Sequence, residues 1–582
     1  MKKKLLLFLV LTIIFLSFMT GCENKAKIEK NIEALEDKSE TVANESDEPE
    51  YGGEVVVPIT TIKSLNPLLS ENASFYNFSK LIFESLFQLD RNLNIENCLA
   101  EDYSIRDEGK TVDIRLKDDV YWHDGEKFTA DDVVFTINTI KYGSGESAYK
   151  DLILNGIKPF STSDIRHILN VKIIDDYNLE IYFDRAYSNA LEILTFPIIP
   201  KHQFTGKNEK ASYINALSAE EYNPIGTGPY KFNQYEKLKT IKLVANEEWW
   251  KGRPYIDTIV GRVLDDEELS LTAFETGQVD LANTVDVDWE KYTQKDRVKI
   301  YEYVSQNYEF LAFSFKNKIF ADESGLAIRK AIAYGIDRQA IIQKVYLGHA
   351  TQTDLPIHPD SWLLNQEASI YGYNKSKAKE VLDKAGWIDR DGDGICEDEN
   401  GNKLSIRLST NSYNPLRFKT AEMIAENLRQ IGIEVIKDYA EEIPDKLTEE
   451  MIENDWETFR GKLDRGNFDV ALLGWQLSSV PDLSFAFHSS QIQYGTNFIR
   501  YQDEEMDELL VEAFSAPDRE MKKNAYDKLE TKIVEELPYV SLFFRNKALL
   551  LDKKVKGNIE PQFYNIYDNI EEWYIPKKYQ QK

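Results

Sequence analysis

Between residues 404 and 473 the apolar pattern changes period more than once, so this part of the chain is neither all helix nor all strand. Leu404, Ile406 and Leu408 alternate with Ser405 and Arg407, the period-2 mark of a strand. From about Thr420 the spacing becomes helical, with Ile424, Leu428 and Ile431 on one face and Gly432 as the stop. Ile433 and Val435 then begin another strand. A further run, Phe468 to Leu473, is nearly continuous in apolar residues, as a strand covered on both faces would be. Strand, helix and strand in this order predict an α/β lobe with a largely parallel sheet.

At 582 residues, 42% apolar and 12% aromatic, the chain has material for more than one such lobe. Its earlier half carries strands of its own, at Ile241 to Val244 and Lys299 to Val304. Two lobes need connections, and Val304 to Leu311 and Leu542 to Leu549 are the candidates. A net charge of −29 argues against nucleic acid, because phosphate binding needs a basic surface. His123, His167, His202, His349, His358 and His488 show no metal-ligand spacing. No phosphate-binding Gly-x-x-x-x-Gly-Lys-Ser/Thr motif and no Gly-x-Ser-x-Gly elbow occurs. The chain therefore reads as a binder without cofactor chemistry, not as an enzyme. Cys98 and Cys396 sit in unrelated contexts and read as free thiols.

Residues 1–21 have the order of a secretory signal: Lys2, Lys3 and Lys4, then an apolar run from Leu5 to Phe18. Met19-Thr20-Gly21-Cys22 resembles a bacterial lipobox, which implies cleavage before Cys22 and acyl chains on that residue. An uncleaved anchor or ordinary cleavage is the alternative. Residues 23–50 hold ten acids and four Lys, without aromatics, so 22–50 reads as a flexible tether. Order is expected from Tyr51-Gly52-Gly53, leading into a strand from Glu54 to Ile59.

A second organising stretch follows the alternating Val112, Ile114 and Leu116. Trp122-His123-Asp124-Gly125 supplies a turn, and Thr129 with Asp132 forms a capping box for a helix that buries Val133, Val134 and Ile137. Trp122-x-Asp124-Gly125 with Thr129-Ala130-x-Asp132-Val133 resembles the signature of the family 5 solute-binding proteins, the extracytoplasmic receptors of ABC importers. Further segments resemble the family in register: Ser64 to Pro67, Leu81 to Leu86, Pro197 to His202, Gly226 to Tyr230, Asn246 to Trp250, Glu275 to Leu281, and Arg329 to Arg338, where Asp337 caps a second helix. The resemblance spans residues 51–582. It implies a two-lobed periplasmic-binding-protein type II fold with an extra subdomain in the first lobe and a hinge of two crossing strands. The implied division is lobe I at 51–85 and 206–305, the extra subdomain at 86–205, lobe II at 306–545, and a return to lobe I at 546–582. It also implies a monomer that takes a peptide between the lobes and hands it to ABC permease subunits. Alternatives on the same fold are a metal chelate, haem, an oligosaccharide, or a sensed signal peptide; an alternative of another class is a secreted enzyme.

Two sets of site residues follow. Gly474 and Trp475 follow the apolar run ending at Leu473, so the next loop is expected at a strand's C-terminal end, where open α/β sheets bind ligands. In peptide-binding relatives an Asp three residues beyond this Trp pairs with the peptide's α-ammonium; here that position is Ser478. Another branch of the family reads Gly-Trp-x-Leu, Asp-Pro-Asp, His-Ser-Ser. Leu477, Pro481, Asp482 and His488-Ser489-Ser490 resemble it, with Val480 in place of its first Asp. Asp482 is then the candidate amine partner and Trp475 a cleft wall; the alternative is that Asp482 only caps a helix from Leu483 to Phe487. The second set is an acidic loop. Asp389, Asp391 and Asp393 fall at positions 1, 3 and 5 of a calcium loop, Gly394 at 6, Ile395 at 7 through its carbonyl, and Glu397 at 9. Position 12 is Asn400, not the usual Glu, so a structural calcium ion and a plain helix-to-strand turn are both open.

Overall fold

A computed structural model describes residues 47–580 apart from 63, 70–71, 146, 148, 151–166, 205–212, 218–221 and 285–286. The signal sequence, Cys22 and nearly all of the tether lie outside the described residues. Among the described residues no helix is long and apolar enough to cross a membrane.

The architecture is mixed α/β in two lobes, each with its own principal core. In the first, Val55, Val57 and Ile59 bury alternate positions of the strand Glu54–Thr60. That strand pairs in parallel with Thr258–Leu264, and Thr240–Ala245 and Tyr230–Glu236 complete an antiparallel extension. A second four-stranded sheet runs Ala100–Arg106, Thr111–Leu116, Asn178–Phe183, Ile168–Asp175, antiparallel throughout. Its apolar side joins the same core.

The Trp122–Asp132 stretch knits this region together. Thr129 starts the helix Ala130–Tyr142 with a complete capping box. Asp132 accepts hydrogen bonds from Thr129 N at 3.0 Å, Trp122 Nε1 at 3.2 Å and Lys201 N at 2.8 Å. Asp132 and Trp122 are both buried, so these two signature residues serve the scaffold.

The second core is built on a seven-stranded sheet. Ser405–Ser409 lies between Glu434–Asp438 and Val470–Gln476, parallel to both. The expected largely parallel sheet is corrected beyond that point. Val470–Gln476 pairs antiparallel with the long strand Val298–Phe313, which pairs antiparallel with Tyr539–Asp552. These two long strands run from one core into the other and pair along most of their length, with an irregularity between Val304 and Tyr308. They are the hinge strands, and their antiparallel entry makes the sheet mixed. The helix expected from about Thr420 starts earlier, at Pro415, because Asn414 caps it and proline suits the first helical position. Asp337 caps its helix as expected, accepting from Ala340 N at 2.9 Å.

Candidate functional site

Where the lobes face each other they enclose a cavity of 470 Å³. Tyr187 and Phe563 reach it from the first lobe, His358 and Trp362 from the second, and Gln306 from a hinge strand. The largest single contribution is the run Trp475 to Leu483. No lysine or arginine lines it among the described residues.

The strand feeding this run does not end at Leu473. It continues to Gln476 because Gly474 and Trp475 still pair with Glu309 and Tyr308 of the hinge strand. Gly474 is therefore a ladder residue and is not part of the cavity wall. A Cβ there would sit 2.5 Å from Arg417 Nη2 and 2.7 Å from the Tyr308 carbonyl oxygen. The missing side chain admits a buried ion pair in which Arg417 Nε and Nη2 donate to Glu309 at 2.8 and 3.1 Å. Trp475 does reach the cavity, held between aromatic neighbours: it stacks on Phe498 at 5.6 Å and meets Phe485 edge-on at 5.3 Å. Its orientation is set by packing before any ligand arrives.

Past Gln476 the chain turns through Ser478, whose exposed hydroxyl accepts from Val480 N at 3.0 Å and lies on the cavity wall. Asp482 follows on the same wall, half-buried. Ser484 N donates to Asp482 Oδ1 at 2.8 Å, just ahead of the short helix Ser484–Phe487, whose N-cap position is Leu483 and not Asp482. That bond uses one of its several acceptor sites. Burial pushes the Asp482 carboxyl up to about 6, with the Ser484 hydrogen bonds opposing the shift. Among the described residues it makes no ion pair. A carboxylate in such surroundings has strong need of a cationic donor.

The loop is fastened from both lobes. Asn189 Nδ2 and the Tyr526 hydroxyl both donate to the Pro481 carbonyl, at 2.9 and 2.7 Å. Lys522 in turn donates to Asn189 Oδ1 at 2.8 Å and forms an ion pair with Glu192. Lys522 is only 3% exposed and Glu192 8%. Nearby, Trp362 N donates to Asn92 O at 2.9 Å and carries the Arg519 guanidinium over its ring, 3.7 Å from the centroid. None of Asn189, Glu192, Lys522 or Tyr526 stood out in the sequence as a site residue. Lys522 left a signal: it sits on the helical stripe of Ala525, Tyr526, Leu529 and Ile533, where a charge is out of place.

Two histidines border the cavity. Burial pushes both His167 and His358 down to about 4, so both are neutral at pH 7. His167 stacks flat on Tyr187 at 4.3 Å, and neither ring nitrogen has a hydrogen-bond partner among the described residues. The acidic loop at 389–397 contributes nothing to this cavity.

The fold that encloses this cavity, and the sequence that forms it, are matched by known proteins. Residues 94–496 match the family described as bacterial extracellular solute-binding proteins, family 5. The chain belongs to that family. It is 30% identical over 584 residues to the oligopeptide-binding protein AppA of Bacillus subtilis, covering 99% of both chains. It is 25% identical over 510 residues to heme-binding protein A of Haemophilus influenzae, covering 85% of this chain and 87% of that one. Among solved structures, AppA of B. subtilis in complex with a nonapeptide matches with a TM-score of 0.59 and 28% identity, over 91% of this chain and all of that one. NikZ of Campylobacter jejuni in complex with Ni(L-His) matches with a TM-score of 0.61 and 26% identity, over the same shares. As a family-5 member the protein is an extracytoplasmic solute-binding component of an ABC importer and not an enzyme.

Proposed function

We propose that the protein captures peptides with a free N-terminus in the interlobe cavity and delivers them to ABC permease subunits. The observation that carries this reading is Asp482, a lone carboxylate on an aromatic, cation-free wall. A peptide α-ammonium beside it would supply the missing charge. Trp475 would wall the first side chains, and Ser478 would offer a hydroxyl in place of the carboxylate that peptide-binding relatives carry there. The name of AppA and its nonapeptide complex support the same class of ligand. A wall without lysine or arginine is a poor fit for the propionates of haem.

A second reading, a metal chelate, draws on His167, a neutral ring in the cavity wall whose two nitrogens are buried without a hydrogen-bond partner among the described residues. Native mass spectrometry of protein purified without denaturation separates the two. Released peptides support the first; a mass carrying a transition metal overturns it in favour of the second.

The remaining assignments belong to the same proposal. Cys22 would carry lipid and hold a monomer on the outer face of the cytoplasmic membrane, with residues 22–50 as its tether. Lobe I would comprise 51–85, 206–305 and 546–582, the extra subdomain 86–205, and lobe II 306–545, so that closure brings Tyr187 and Asp482 to the same ligand.

A further inference from the structure

The segment between the helix Lys375–Lys384 and the strand Ser405–Ser409 has a geometry that the peptide reading leaves unexplained. Gly394, at φ +92°, turns the chain so that Asp389, Asp391 and Asp393 converge with Glu397. One carboxylate oxygen from each of the four lies within 4.8 Å of the others. Four like charges this close repel one another unless a cation lies among them. Lys403 pairs with Asp393 alone. The guanidinium of Arg390 turns to the backbone instead, donating to Asp398 O at 3.0 Å and Gly386 O at 3.2 Å.

A plain turn accounts for part of this. Gly392 N donates to Asp389 Oδ1 at 2.8 Å, Asp393 N to Asp391 Oδ1 at 3.0 Å, and Ile395 N to Asp393 Oδ1 at 2.9 Å. It does not account for Glu397, which is 4% exposed. Its Oε2 accepts from Arg390 N at 2.8 Å, but Oε1 is buried with no hydrogen-bond partner among the described residues. A buried carboxylate oxygen without a donor is costly, and native proteins rarely leave one so. Glu397 is the buried member of a cluster whose three aspartates are exposed, the place of an innermost ligand to a hard cation.

We propose that Asp389, Asp391, Asp393 and Glu397, with the Ile395 carbonyl, form a calcium site. All donors are oxygens, most of them carboxylates, which suits the larger and less demanding calcium better than magnesium. Glu397 replaces the twelfth-position Glu of an EF-hand, so no second helix is needed. The ion would tie the loop to lobe II: Cys396 N donates to Gly432 O at 2.8 Å and Leu404 N to Cys396 O at 2.7 Å, which places the loop against the turn between Pro415–Arg429 and Glu434–Asp438.

The test is a calcium chloride titration of the chelator-stripped full chain by calorimetry, with thermal melts alongside. We expect one ion per chain with a Kd of about 0.1–1 mM, the range of extracellular calcium modules. Glu397→Gln is expected to weaken binding by about tenfold or more, as is Asp391→Asn at the exposed rim, where folding is not at risk. Three results would overturn the site: no heat and no shift in melting up to about 10 mM calcium, an unchanged affinity in both variants, or an equal response to magnesium.

Discussion

Replacing Asp482 by Asn separates an amine anchor from a carboxylate that only holds its own turn. Burial lifts the carboxyl from 3.8 to about 6. The raised folded-state value means that stability is fully present below pH 3.8 and is lost as pH rises towards 6. Above that, the ionised group destabilises the ligand-free protein by up to about 3 kcal/mol, at 1.36 kcal/mol per pH unit. Asn carries no charge, and its side-chain oxygen can still accept from Ser484 N. Asp482→Asn should therefore raise ligand-free stability at pH 7.5, with the gain vanishing near pH 4. Binding moves the other way: a charge-assisted bond contributes about 1.5–3 kcal/mol, so a peptide with a free N-terminus should bind about 10- to 150-fold more weakly. In the wild type the same peptide should bind about tenfold more weakly at pH 5 than at pH 7.5, since protonation removes the anchor. Calorimetry with free and acetylated peptide, plus urea unfolding at both pH values, reads all of this. If the variant loses affinity for both peptides equally, or is no more stable than the wild type at pH 7.5, Asp482 only holds its turn and is not the anchor.

Lys522→Met strands Glu192 in a buried lobe contact and should cost the closed form roughly 3–5 kcal/mol; a peptide affinity that stays unchanged would refute a part for this ion pair in closure, and adding Glu192→Gln should restore part of the loss. Gly474→Ala forces a methyl against the Arg417–Glu309 pair and the Tyr308 carbonyl and should destabilise lobe II by about 1–3 kcal/mol, which a melt with no decrease would contradict. Cys22→Ser should abolish acyl labelling and leave the precursor uncleaved or the protein released from cells; labelling at the wild-type level would exclude lipidation at that residue. Small-angle scattering of ligand-free protein should show a more compact molecule for Asp482→Asn than for wild type at pH 7.5, and no difference would mean that the carboxylate does not oppose closure.

Local chemistry was legible where the residues that decide it are neighbours in sequence. The Thr129–Asp132 capping box, the Asp337 cap and the strand Glu54–Thr60 all depend on side chains within a few positions of one another. Long-range pairing was not. Trp475 belongs to a strand because Tyr308 lies opposite it, and no periodicity near Trp475 announces a partner so distant in the chain. The same cause makes the second sheet mixed: both hinge strands enter it antiparallel, whereas the pattern at 404–435 reports only its parallel end. The helix from Pro415 was legible and underread. Asn414 and Pro415 mark its start, but Leu416 and Phe418 are only half-buried, so apolar spacing alone finds the later turns. At the cavity, Asp482 and Trp475 came from family pattern, while Asn189 and Tyr526 carry no mark in the sequence that separates them from any other polar or aromatic residue.

These two layers meet at Pro481. Its carbonyl takes one hydrogen bond from Asn189 and one from Tyr526, on opposite sides of the cleft, and Asp482 is the next residue. The contacts that bring the lobes together therefore also fix the loop that carries the carboxylate, and they surround it with the atoms that raise its proton affinity. With the lobes apart, the loop would be more hydrated and part of the cost of ionising the carboxyl would be relieved. Closing on an empty cavity would bury an unpaired charge; closing on a bound ammonium would bury a pair. A solute binds the closed form preferentially only by its difference in affinity for the two forms. Here that difference is concentrated in one charge, so closure would report that an amine is present and not merely that the cavity is filled. Apolar solutes of the right size could still pack against Trp475, yet they would leave Asp482 unpaired and favour the open form.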